Sequence, residues 1–271
     1  MVSGPEPSLL EYLAVVVSHG LRNDDVCFTG LTTGGPTALY GTFVPLAGMA
    51  LAQRFHAPDL TILLAGWCQN PDVGSLKGVP TSEFGSELLD IACEGRSTDY
   101  PWNFSIKRGD VTVGFSTGAQ VDRFGNLNSV CIGGYDHPDV RLVGPILQPE
   151  HMTLFGREII MMPRHDRRTF VEAVDFVSGL GFPNGRAGRR ALGHDNEGPS
   201  LIITPLCVYD FDAEGVIRVA SIHPGVAARD IREATGFEVG NLDAARATPA
   251  PSPEELAVLR ADIDPGGLLR R

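Results

Sequence analysis

The sequence predicts an α/β protein with an open, mainly parallel sheet flanked by helices. In the first half of the chain, short apolar β-prone runs alternate with helical patterns, and in the second half strands dominate, so some antiparallel pairing is expected there. Of the 271 residues, 43% are hydrophobic and 20% are charged, as in ordinary globular proteins. We expect residues 1–248 to form one α/β domain and residues 249–271 to form a linker and a C-terminal helix.

The first half contains one predicted βαβ unit, preceded by a helix. Ser8 and Glu11 match a capping box, which predicts a helix that ends at about His19. The strand, helix and strand of the βαβ unit are expected at residues 25–29, 37–55 and 60–65. The crossover of such a unit is right-handed.

The second half is predicted to be rich in strands. Residues 185–199, which are rich in Gly, Arg and Asn, are expected to form a mobile surface loop. Ser252 and Glu255 form a second capping box, which opens a helix that runs to about Asp262. Strands are expected at residues 110–115, 158–162 and 170–177, followed by a hairpin of residues 201–211 and 216–222 and by a helix at residues 227–235.

Composition excludes several classes of function. The net charge of −11 argues against sequence-independent nucleic-acid binding, which needs an excess of Lys and Arg on one face. No apolar run is long enough to span a membrane, and the N-terminus lacks a signal pattern, so a cytoplasmic protein is expected. The five cysteines form no CxxC pair and the seven histidines show no HxxxH spacing, so no metal site is predicted.

Two loops follow the strands of the βαβ unit, at the edge where ligands bind in such sheets. The first is a glycine and hydroxyl loop at residues 30–36, in which we single out Gly30, Thr32, Gly34 and Gly35 as candidate substrate contacts. An ordinary β-to-α turn is the alternative for this loop. The second loop, at residues 66–71, contributes three further candidates for substrate binding, Gly66, Trp67 and Gln69.

The segment on which the functional prediction depends is residues 118–129, Gly-Ala-Gln-Val-Asp-Arg-Phe-Gly-Asn-Leu-Asn-Ser, called the signature segment below. By composition alone it is a polar, glycine-rich turn after a strand. However, it resembles the GAxQVDxxGNxNS signature of the β subunit of family I CoA-transferases, the glutaconate CoA-transferase type. Four further segments fit the same family in the same order: residues 168–178, 208–212, 221–226 and 251–265.

The resemblance implies a fold, a partner and a reaction class. It implies a CoA-transferase-like α/β domain that forms one half of a hetero-oligomer with an α subunit, αβ or α2β2, and that acts on acyl-CoA thioesters. Coenzyme A is then part of the substrate, and no resident cofactor is expected. By the resemblance, Gln120, Asp122 and Asn126 are candidate catalytic residues, and Gly118, Gly125 and Asn128 are candidate binding residues. The chain is also similar to the β subunit of related steroid ring-cleaving hydrolases.

The chain departs from the family at the strand that precedes residues 66–71. In the family, this strand delivers a glutamate that attacks the acyl-CoA thioester. Here residues 60–67 contain no acid; the nearest acids are Asp59 and Asp72, and neither matches the family position. Three explanations stay open: the partner chain carries the essential acid, Cys68 acts as an alternative nucleophile, or this chain has kept only a binding role.

A second departure lies at residues 143–149, Val-Gly-Pro-Ile-Leu-Gln-Pro. The family has a glycine cluster here that helps to form an oxyanion pocket from backbone N–H groups. In this chain only Gly144 remains, and proline has no N–H to donate. We therefore carry three hypotheses forward: a CoA-transferase subunit, a subunit for thioester hydrolysis or ring opening with the acid on the partner chain, and a non-catalytic partner subunit.

Overall fold

The computed structural model describes residues 6–32, 34–82, 85–96 and 109–270. The chain divides into two compact units. The first unit comprises residues 1–112 together with 249–271, and the second comprises residues 113–248. The two predicted loops at residues 30–36 and 66–71 belong to the first unit, whereas the signature segment belongs to the second.

The sheet of the first unit contains the predicted pair of parallel strands. Strands β1 and β2 pair in parallel, with Val26 opposite Thr61, and β3 and β4 then add in antiparallel fashion. This antiparallel edge was not predicted, because antiparallel pairing was expected only in the C-terminal half. The strands are β1 (Val26–Thr29), β2 (Thr61–Leu64), β3 (Cys68–Pro71) and β4 (Cys93–Arg96).

Helix α3 packs on this sheet, and α1 packs closely against α3. The predicted capping box is present, because the Ser8 side chain accepts from the Glu11 N–H and the Glu11 carboxylate accepts from the Ser8 N–H. A Cβ on Gly48 would lie 2.5 Å from Cγ1 of Val17, so only glycine permits this packing. The helical elements are α1 (Leu9–His19), α2 (Gly35–Ala38), a π-helical turn (Leu39–Phe43), α3 (Val44–Phe55), a 3-10 turn (Val73–Ser75) and α4 (Ser86–Leu89).

The second unit is built on a mixed sheet with two small ribbons beside it. Strands β5, β10 and β11 are parallel neighbours, β11, β12 and β13 form an antiparallel meander, and β14 pairs in parallel with β13. The predicted α/β class and its antiparallel C-terminal half are confirmed. The strands are β5 (Val113–Ser116), β6 (Gln120–Val121), β7 (Leu127–Asn128), β8 (Cys131–Gly133), β9 (Pro138–Arg141), β10 (Arg157–Met161), β11 (Gly198–Ile203), β12 (Cys207–Phe211), β13 (Ile217–Ile222) and β14 (Arg246–Ala247).

The prediction of a mobile loop at residues 185–199 is wrong, because half of it is a helix fixed by a buried arginine. Arg189 is 1% exposed and donates to the carbonyl oxygens of Met152, Leu180 and Gly181 and to Oδ1 of Asn196. The sequence could not reveal the three carbonyl acceptors, since Met152, Leu180 and Gly181 lie outside this segment. The helices of the second unit are α5 (Gln148–Leu154), α6 (Gly185–Ala191) and α7 (Ala228–Ala234), with a 3-10 turn at Leu242–Ala244.

The prediction of a strand at residues 170–177 is also wrong. Phe170 forms a single bridge with Val121, and the residues that follow it have no strand structure. Their alternation of apolar and polar residues is typical of a strand. However, the Asp175 N–H bonds to the side-chain Oε1 of Gln120 and not to the backbone of a neighbouring strand. The segment therefore packs along the signature segment as an irregular strap.

The C-terminal residues pack on α1 within the first unit. The second predicted capping box, Ser252 with Glu255, is present and opens a helix. Oε1 of Glu255 lies 2.7 Å from Nε2 of His19, and Arg260 binds both carboxylate oxygens of Glu11 at 2.7 and 2.9 Å. The elements are α8 (Pro253–Val258), a π-helical turn (Leu259–Ile263) and a 3-10 turn (Leu268–Arg270).

Candidate active site

The signature segment is a tight hairpin in which β6 pairs with β7. Its turn is closed by Asp122, whose Oδ1 accepts from the N–H groups of Phe124 at 2.9 Å and Asn126 at 3.0 Å. Gly125 has a φ of 72°, and a Cβ there would lie 2.8 Å from the ring of Phe211. The turn therefore needs both an acceptor side chain at its start and a residue without a side chain at its end.

The four polar side chains of the hairpin bind one another and the adjacent backbone. Asn126 donates to Oδ2 of Asp122 at 2.9 Å and accepts from the Gly181 N–H. Asn128 donates to Oε1 of Gln120 at 2.7 Å and to the carbonyl of Cys131. All four side chains belong to buried residues. Their polar atoms are thus engaged in holding the hairpin, with little capacity left for a ligand.

Burial has an electrostatic effect on Asp122. It raises the pKa of this carboxyl above its usual range, because the charged form loses its hydration, and the hydrogen bonds from Asn126 and Phe124 only partly oppose this rise. Gln120 extends the network outward, since its Nε2 donates to Oδ2 of Asp175 at 3.1 Å. Asp175, which the sequence analysis did not single out, also accepts from the Gly133 N–H and so ties the hairpin to the ribbon of β8 and β9.

The accessible part of this region lies at Thr117, Gly118 and Ala119, between β5 and the hairpin. Ala119 is exposed and its two predecessors are half-buried. Oγ1 of Thr117 is buried and has no hydrogen-bond partner among the residues that the structure describes. The carbonyl of Thr117 accepts from Nε2 of Gln148 at 2.7 Å, which fastens the first residue of α5 to this strand end. Thr117 and Gln148 were missed from the sequence because a lone threonine or glutamine carries no motif.

A buried acidic group lies directly behind this strand end. Glu158 on β10 accepts a short hydrogen bond from Oγ of Ser116, the last residue of β5. Nδ1 of His151 on α5 lies 3.7 Å from Oε1 of the same carboxylate. All three residues are buried. The hydrogen bond between Ser116 and Glu158 joins the end of β5 to β10 in the interior of the unit.

The glycine loop of the first unit follows β1. Thr32 does not point freely into this loop: its Oγ1 donates to the Thr37 carbonyl at 3.0 Å and lies 3.0 Å from Oγ1 of Thr42. Gly30 is half-buried, whereas Gly34, with a φ of 90°, and Gly35 are exposed, and a Cβ at either of the last two would meet no atom within 4 Å. Open backbone at the start of a helix can approach an anionic group closely.

The second loop is a tight turn between β2 and β3. Ala65 and Gly66 have φ values of 53° and 74°, and the Trp67 N–H bonds to the Leu64 carbonyl at 3.1 Å. A left-handed alanine is uncommon and marks a backbone that the fold holds in place. Trp67 is half-buried and Gln69 is exposed. Since β1 and β2 are parallel, this turn and the glycine loop lie at the same edge of the first unit's sheet.

Cys68 is not poised for nucleophilic attack. Its side chain is 1% exposed, and its Sγ donates to the Leu88 carbonyl at 3.5 Å. Burial raises the pKa of this thiol, although the Arg96 guanidinium at 3.5 Å from Sγ partly opposes the rise. The thiolate is the reactive form, and this environment disfavours it.

The two acids that flank this region lie at the wrong end of β2. Asp59 precedes β2 and accepts from Nδ2 of Asn23 at 2.8 Å. Asp72 follows β3, and β3 runs antiparallel to β2, so Asp72 also lies near the start of β2. A four-residue strand is about 13 Å long. Neither carboxylate reaches the turn at Ala65.

The loop at residues 143–149 runs beside the signature segment. Gly144 has a φ of 95°, and its N–H donates to the Ser129 carbonyl at 2.9 Å. This N–H is therefore engaged within the fold. Since Pro145 offers no N–H, the two backbone positions that could have stabilised an oxyanion at this point are unable to do so.

Neither a cluster of metal ligands nor a membrane-spanning helix is found in the part of the chain that the structure describes. Within residues 6–32, 34–82, 85–96 and 109–270, no three His, Cys, Asp or Glu side chains cluster as metal ligands do. Over the same ranges, no helix has the length and apolarity that crossing a bilayer requires.

The fold and the loops define a class of protein: an α/β domain with glycine-rich loops at the carboxyl edge of a parallel strand pair and a fixed polar hairpin in its second unit. Comparison with known proteins makes the class specific. A sequence profile described as Coenzyme A transferase matches residues 10–234, and the chain belongs to this family. The family expected from the signature segment is thereby confirmed.

Curated relatives cover most of this chain. It is similar to the B subunit of 3-oxoadipate CoA-transferase of Pseudomonas knackmussii, at 32% identity over 93% of this chain and 91% of that one. It is also similar to the B subunit of glutaconate CoA-transferase of Acidaminococcus fermentans, at 31% identity over 94% and 92% of the two chains. The cholesterol ring-cleaving hydrolase IpdB subunit of Mycobacterium tuberculosis is 38% identical over 56% of this chain and 60% of its own.

Solved structures agree with this assignment. The glutaconate coenzyme A-transferase of Acidaminococcus fermentans superimposes with a TM-score of 0.79 at 28% identity, covering 97% of both chains. IpdAB of Rhodococcus jostii gives a TM-score of 0.76 at 25% identity, covering 98% of both chains. An acyl-CoA transferase of Escherichia coli shares only the fold, with a TM-score of 0.58 at 13% identity over 94% of this chain but 43% of that chain.

Proposed function

We propose that the chain is the β subunit of a two-chain coenzyme A transferase that moves coenzyme A between carboxylic acids by way of acyl-CoA thioesters. The observation that supports this proposal is similarity over nearly the whole chain to the corresponding subunits of two CoA-transferases that act on different acids. The partner is a second, different chain of the same family, called the α subunit below, in an αβ or α2β2 complex. Coenzyme A enters as part of the substrate, with no resident cofactor, and the complex is cytoplasmic.

The essential carboxylate is proposed to lie on the α subunit. Residues 60–71 contain no acid, and Asp59 and Asp72 lie at the far end of β2. The burial of Cys68 and the raised pKa of its thiol argue against Cys68 as the nucleophile. A carboxylate brought by the partner supplies the nucleophile that transfer through a thioester intermediate requires.

In this proposal the residues of the chain have two kinds of role. The exposed backbone of Gly34 and Gly35, together with the turn at Ala65 and Gly66, binds the substrate. The buried side chains of the signature segment (Gln120, Asp122, Asn126 and Asn128) position the backbone of residues 117–119 without contacting the substrate. This division follows from burial and from the hydrogen bonds that each side chain already makes.

A hydrolase or ring-opening function is the second candidate. The missing acid after β2 favours it, as does 38% identity over 153 residues to a subunit named as a cholesterol ring-cleaving hydrolase. A non-catalytic partner role, the third hypothesis, predicts that the assembled complex does not bind coenzyme A.

The test is co-expression of this chain with the α-type coenzyme A transferase chain encoded in the same genome. The purified complex is incubated with a panel of acyl-CoA thioesters, with and without carboxylic acid acceptors, and the products are followed by mass spectrometry. Transfer gives a new acyl-CoA only when an acceptor is present. If free coenzyme A or a ring-opened product forms without an acceptor, the hydrolase hypothesis replaces the transferase hypothesis. No reaction and no acyl-CoA binding would leave the non-catalytic role.

A matched pair of variants tests the binding role of the glycine loop. Gly35→Asp places a negative charge where an anionic substrate is expected, in open space. We expect the KM for acyl-CoA to rise roughly tenfold, because like charges repel in a partly desolvated site. Gly266→Asp is the control, since Gly266 is also exposed with no atom within 4 Å of an added Cβ, and it should leave the KM unchanged.

A further inference from the structure

The helix that follows the glycine loop is interrupted by a turn of a different kind. Helices α2 and α3 are joined by the π-helical turn Leu39–Phe43, in which the Val44 N–H bonds to the Leu39 carbonyl. Pro45 explains the interruption, because it lacks the N–H that would bond to the Gly41 carbonyl four residues earlier, and its ring crowds that carbonyl. Single π-helical turns inside α-helices are rare and frequently lie at functional sites.

The π-helical turn is bonded to the end of β1 and packs closely on the glycine loop. Oγ1 of Thr29, the last residue of β1, donates at 3.2 Å to the Gly41 carbonyl, for which Pro45 supplies no N–H. A Cβ on Gly41 would lie 2.7 Å from Oγ1 of Thr32, so a larger residue there would push Thr32 away. The interruption of the helix thus brings the turn and the loop into contact.

The side chain of Thr42 makes the central contacts between the turn and the loop. Thr42 is fully buried, and its Oγ1 donates to the Gly30 carbonyl at 3.1 Å. The same oxygen accepts from the Thr32 N–H at 3.0 Å and lies 3.0 Å from Oγ1 of Thr32. A single hydroxyl therefore fixes the loop backbone on both sides of Leu31.

The exposed part of the loop is held at both ends. Gly34 and Gly35 are exposed, and an added Cβ on either would meet no atom within 4 Å. They lie between Thr32, whose N–H is bound by Thr42, and Thr37, whose carbonyl accepts from Oγ1 of Thr32 at 3.0 Å. A segment that is fixed beforehand loses less conformational freedom when it binds a ligand, and so binds it more tightly.

We propose that Thr42 is a positioning residue for acyl-CoA binding, because its hydroxyl holds the glycine loop in the conformation that presents the backbone of Gly34 and Gly35 to the substrate. This rests on the proposed function, in which that backbone contacts the substrate, and adds which side chain sets the conformation of the loop. Thr42 acts only through the loop, since its hydroxyl is buried and already bound to Gly30 and Thr32.

A positioning role predicts a particular kinetic effect. Loss of the Thr42 hydroxyl weakens the binding of substrate and transition state equally, so the KM for acyl-CoA rises while kcat stays almost unchanged. A purely structural role predicts a lower melting temperature with the KM unchanged in protein that is still folded. The two roles are therefore separated by kinetics measured well below the melting temperature.

The test uses Thr42→Val, which keeps the shape of the side chain but removes its hydroxyl, and Thr42→Ser, which keeps the hydroxyl. Thr112→Val is the matched control. Oγ1 of Thr112 accepts from the Val26 N–H and donates to Oδ1 of Asp25, both at 2.9 Å, at the start of β1 and so at the opposite end of this strand from the loop.

Each variant is purified as the complex with the co-expressed α subunit, and thermal unfolding verifies that it is folded. The substrate is the acyl-CoA thioester that the wild-type complex turns over best in the panel described above. We expect Thr42→Val to raise its KM about tenfold, as the loss of one hydrogen-bonding group does, with kcat within about threefold of the wild type. Thr42→Ser and Thr112→Val should keep the KM within about threefold.

Hydrogen exchange in the substrate-free complex measures the loop without any reaction. The amide of Thr32 bonds to Oγ1 of Thr42 and should exchange at least about tenfold faster in Thr42→Val than in the wild type. In Thr112→Val the exchange of this amide should not change.

The outcomes separate the positioning role from the proposed function. If the wild-type complex transfers coenzyme A but Thr42→Val keeps the wild-type KM, the positioning role is wrong and the function stands. The role is equally wrong if Thr112→Val raises the KM as much as Thr42→Val, or if Thr42→Ser raises it as much, because the hydroxyl is then not the cause. If the wild-type complex neither binds nor turns over any acyl-CoA, the proposed function is overturned, and the positioning role with it.

Discussion

Replacing Asp122 by alanine tests whether the signature segment is a scaffold or a reactive centre. The carboxylate accepts three hydrogen bonds, from the N–H groups of Phe124 and Asn126 and from the side-chain amide of Asn126, at 2.9 to 3.0 Å. In Asp122→Ala these donors lose their acceptor inside a buried turn. Each such loss is worth about 1 to 2 kcal/mol.

The burial of the carboxylate reduces the expected effect. Because burial raises the pKa of Asp122, the charged form is disfavoured in the fold, and its removal offsets part of the loss of the three hydrogen bonds. The three lost bonds and this gain together give a net destabilisation of about 3 kcal/mol. Urea unfolding followed by circular dichroism at neutral pH measures it.

Asp212→Ala is the matched control. Asp212 also accepts from two backbone N–H groups, of Glu214 and Val216 at 2.9 Å, but in a surface hairpin where water can replace the carboxylate. We expect a loss below about 1 kcal/mol. The scaffold argument is refuted if Asp122→Ala unfolds within about 0.5 kcal/mol of the wild type while the complex loses its activity, because such a residue would be acting on the substrate.

Three further predictions concern single side chains. Burial lowers the pKa of His165 to about 4, so below neutral pH the unfolded state binds a proton that the folded state does not. The free energy of unfolding should therefore fall by about 2 kcal/mol between about pH 7.5 and about pH 5. His165→Gln should remove that part of the pH dependence, as measured by urea unfolding. Cys68→Ala should keep the activity of the complex within about threefold, since a buried thiol with a raised pKa is unreactive, and a 100-fold loss in a stably folded variant would restore it as a nucleophile. Ile146→Gly should raise the free energy of unfolding of the isolated chain by about 0.5 to 1 kcal/mol, because it relieves a φ of 48°; a decrease would show that Ile146 is not strained.

Much of the fold could be predicted because its signals are local. The capping boxes at Ser8 and Ser252 each rest on two side chains three residues apart, and both are present as predicted. The parallel pair β1 and β2 and the hairpin of β12 and β13 follow from apolar periodicity and a turn motif that span a few residues. Such features depend little on the rest of the molecule.

The failed predictions depended on distant partners. Residues 170–177 have the alternation of a strand, but their hydrogen bonds run to a hairpin about 50 positions earlier in the chain. Residues 185–199 have the composition of a mobile loop, but Arg189 finds acceptors at Met152, Leu180 and Gly181. Composition records neither the presence nor the distance of such partners.

The sequence by itself determined the family, the α/β class and the absence of an acid in residues 60–71, because each of these is a property of residue identity and short-range order. Only the tertiary structure decided which polar atoms are engaged. In the sequence, Gln120 and Asn126 look equally suited to bind a ligand. In the structure, Gln120 donates to Asp175 and Asn126 accepts from the Gly181 N–H, and each partner lies 55 residues further along the chain. A hydrogen bond is decided by the distance and angle between two groups in space, and those are set only when the separate segments pack together.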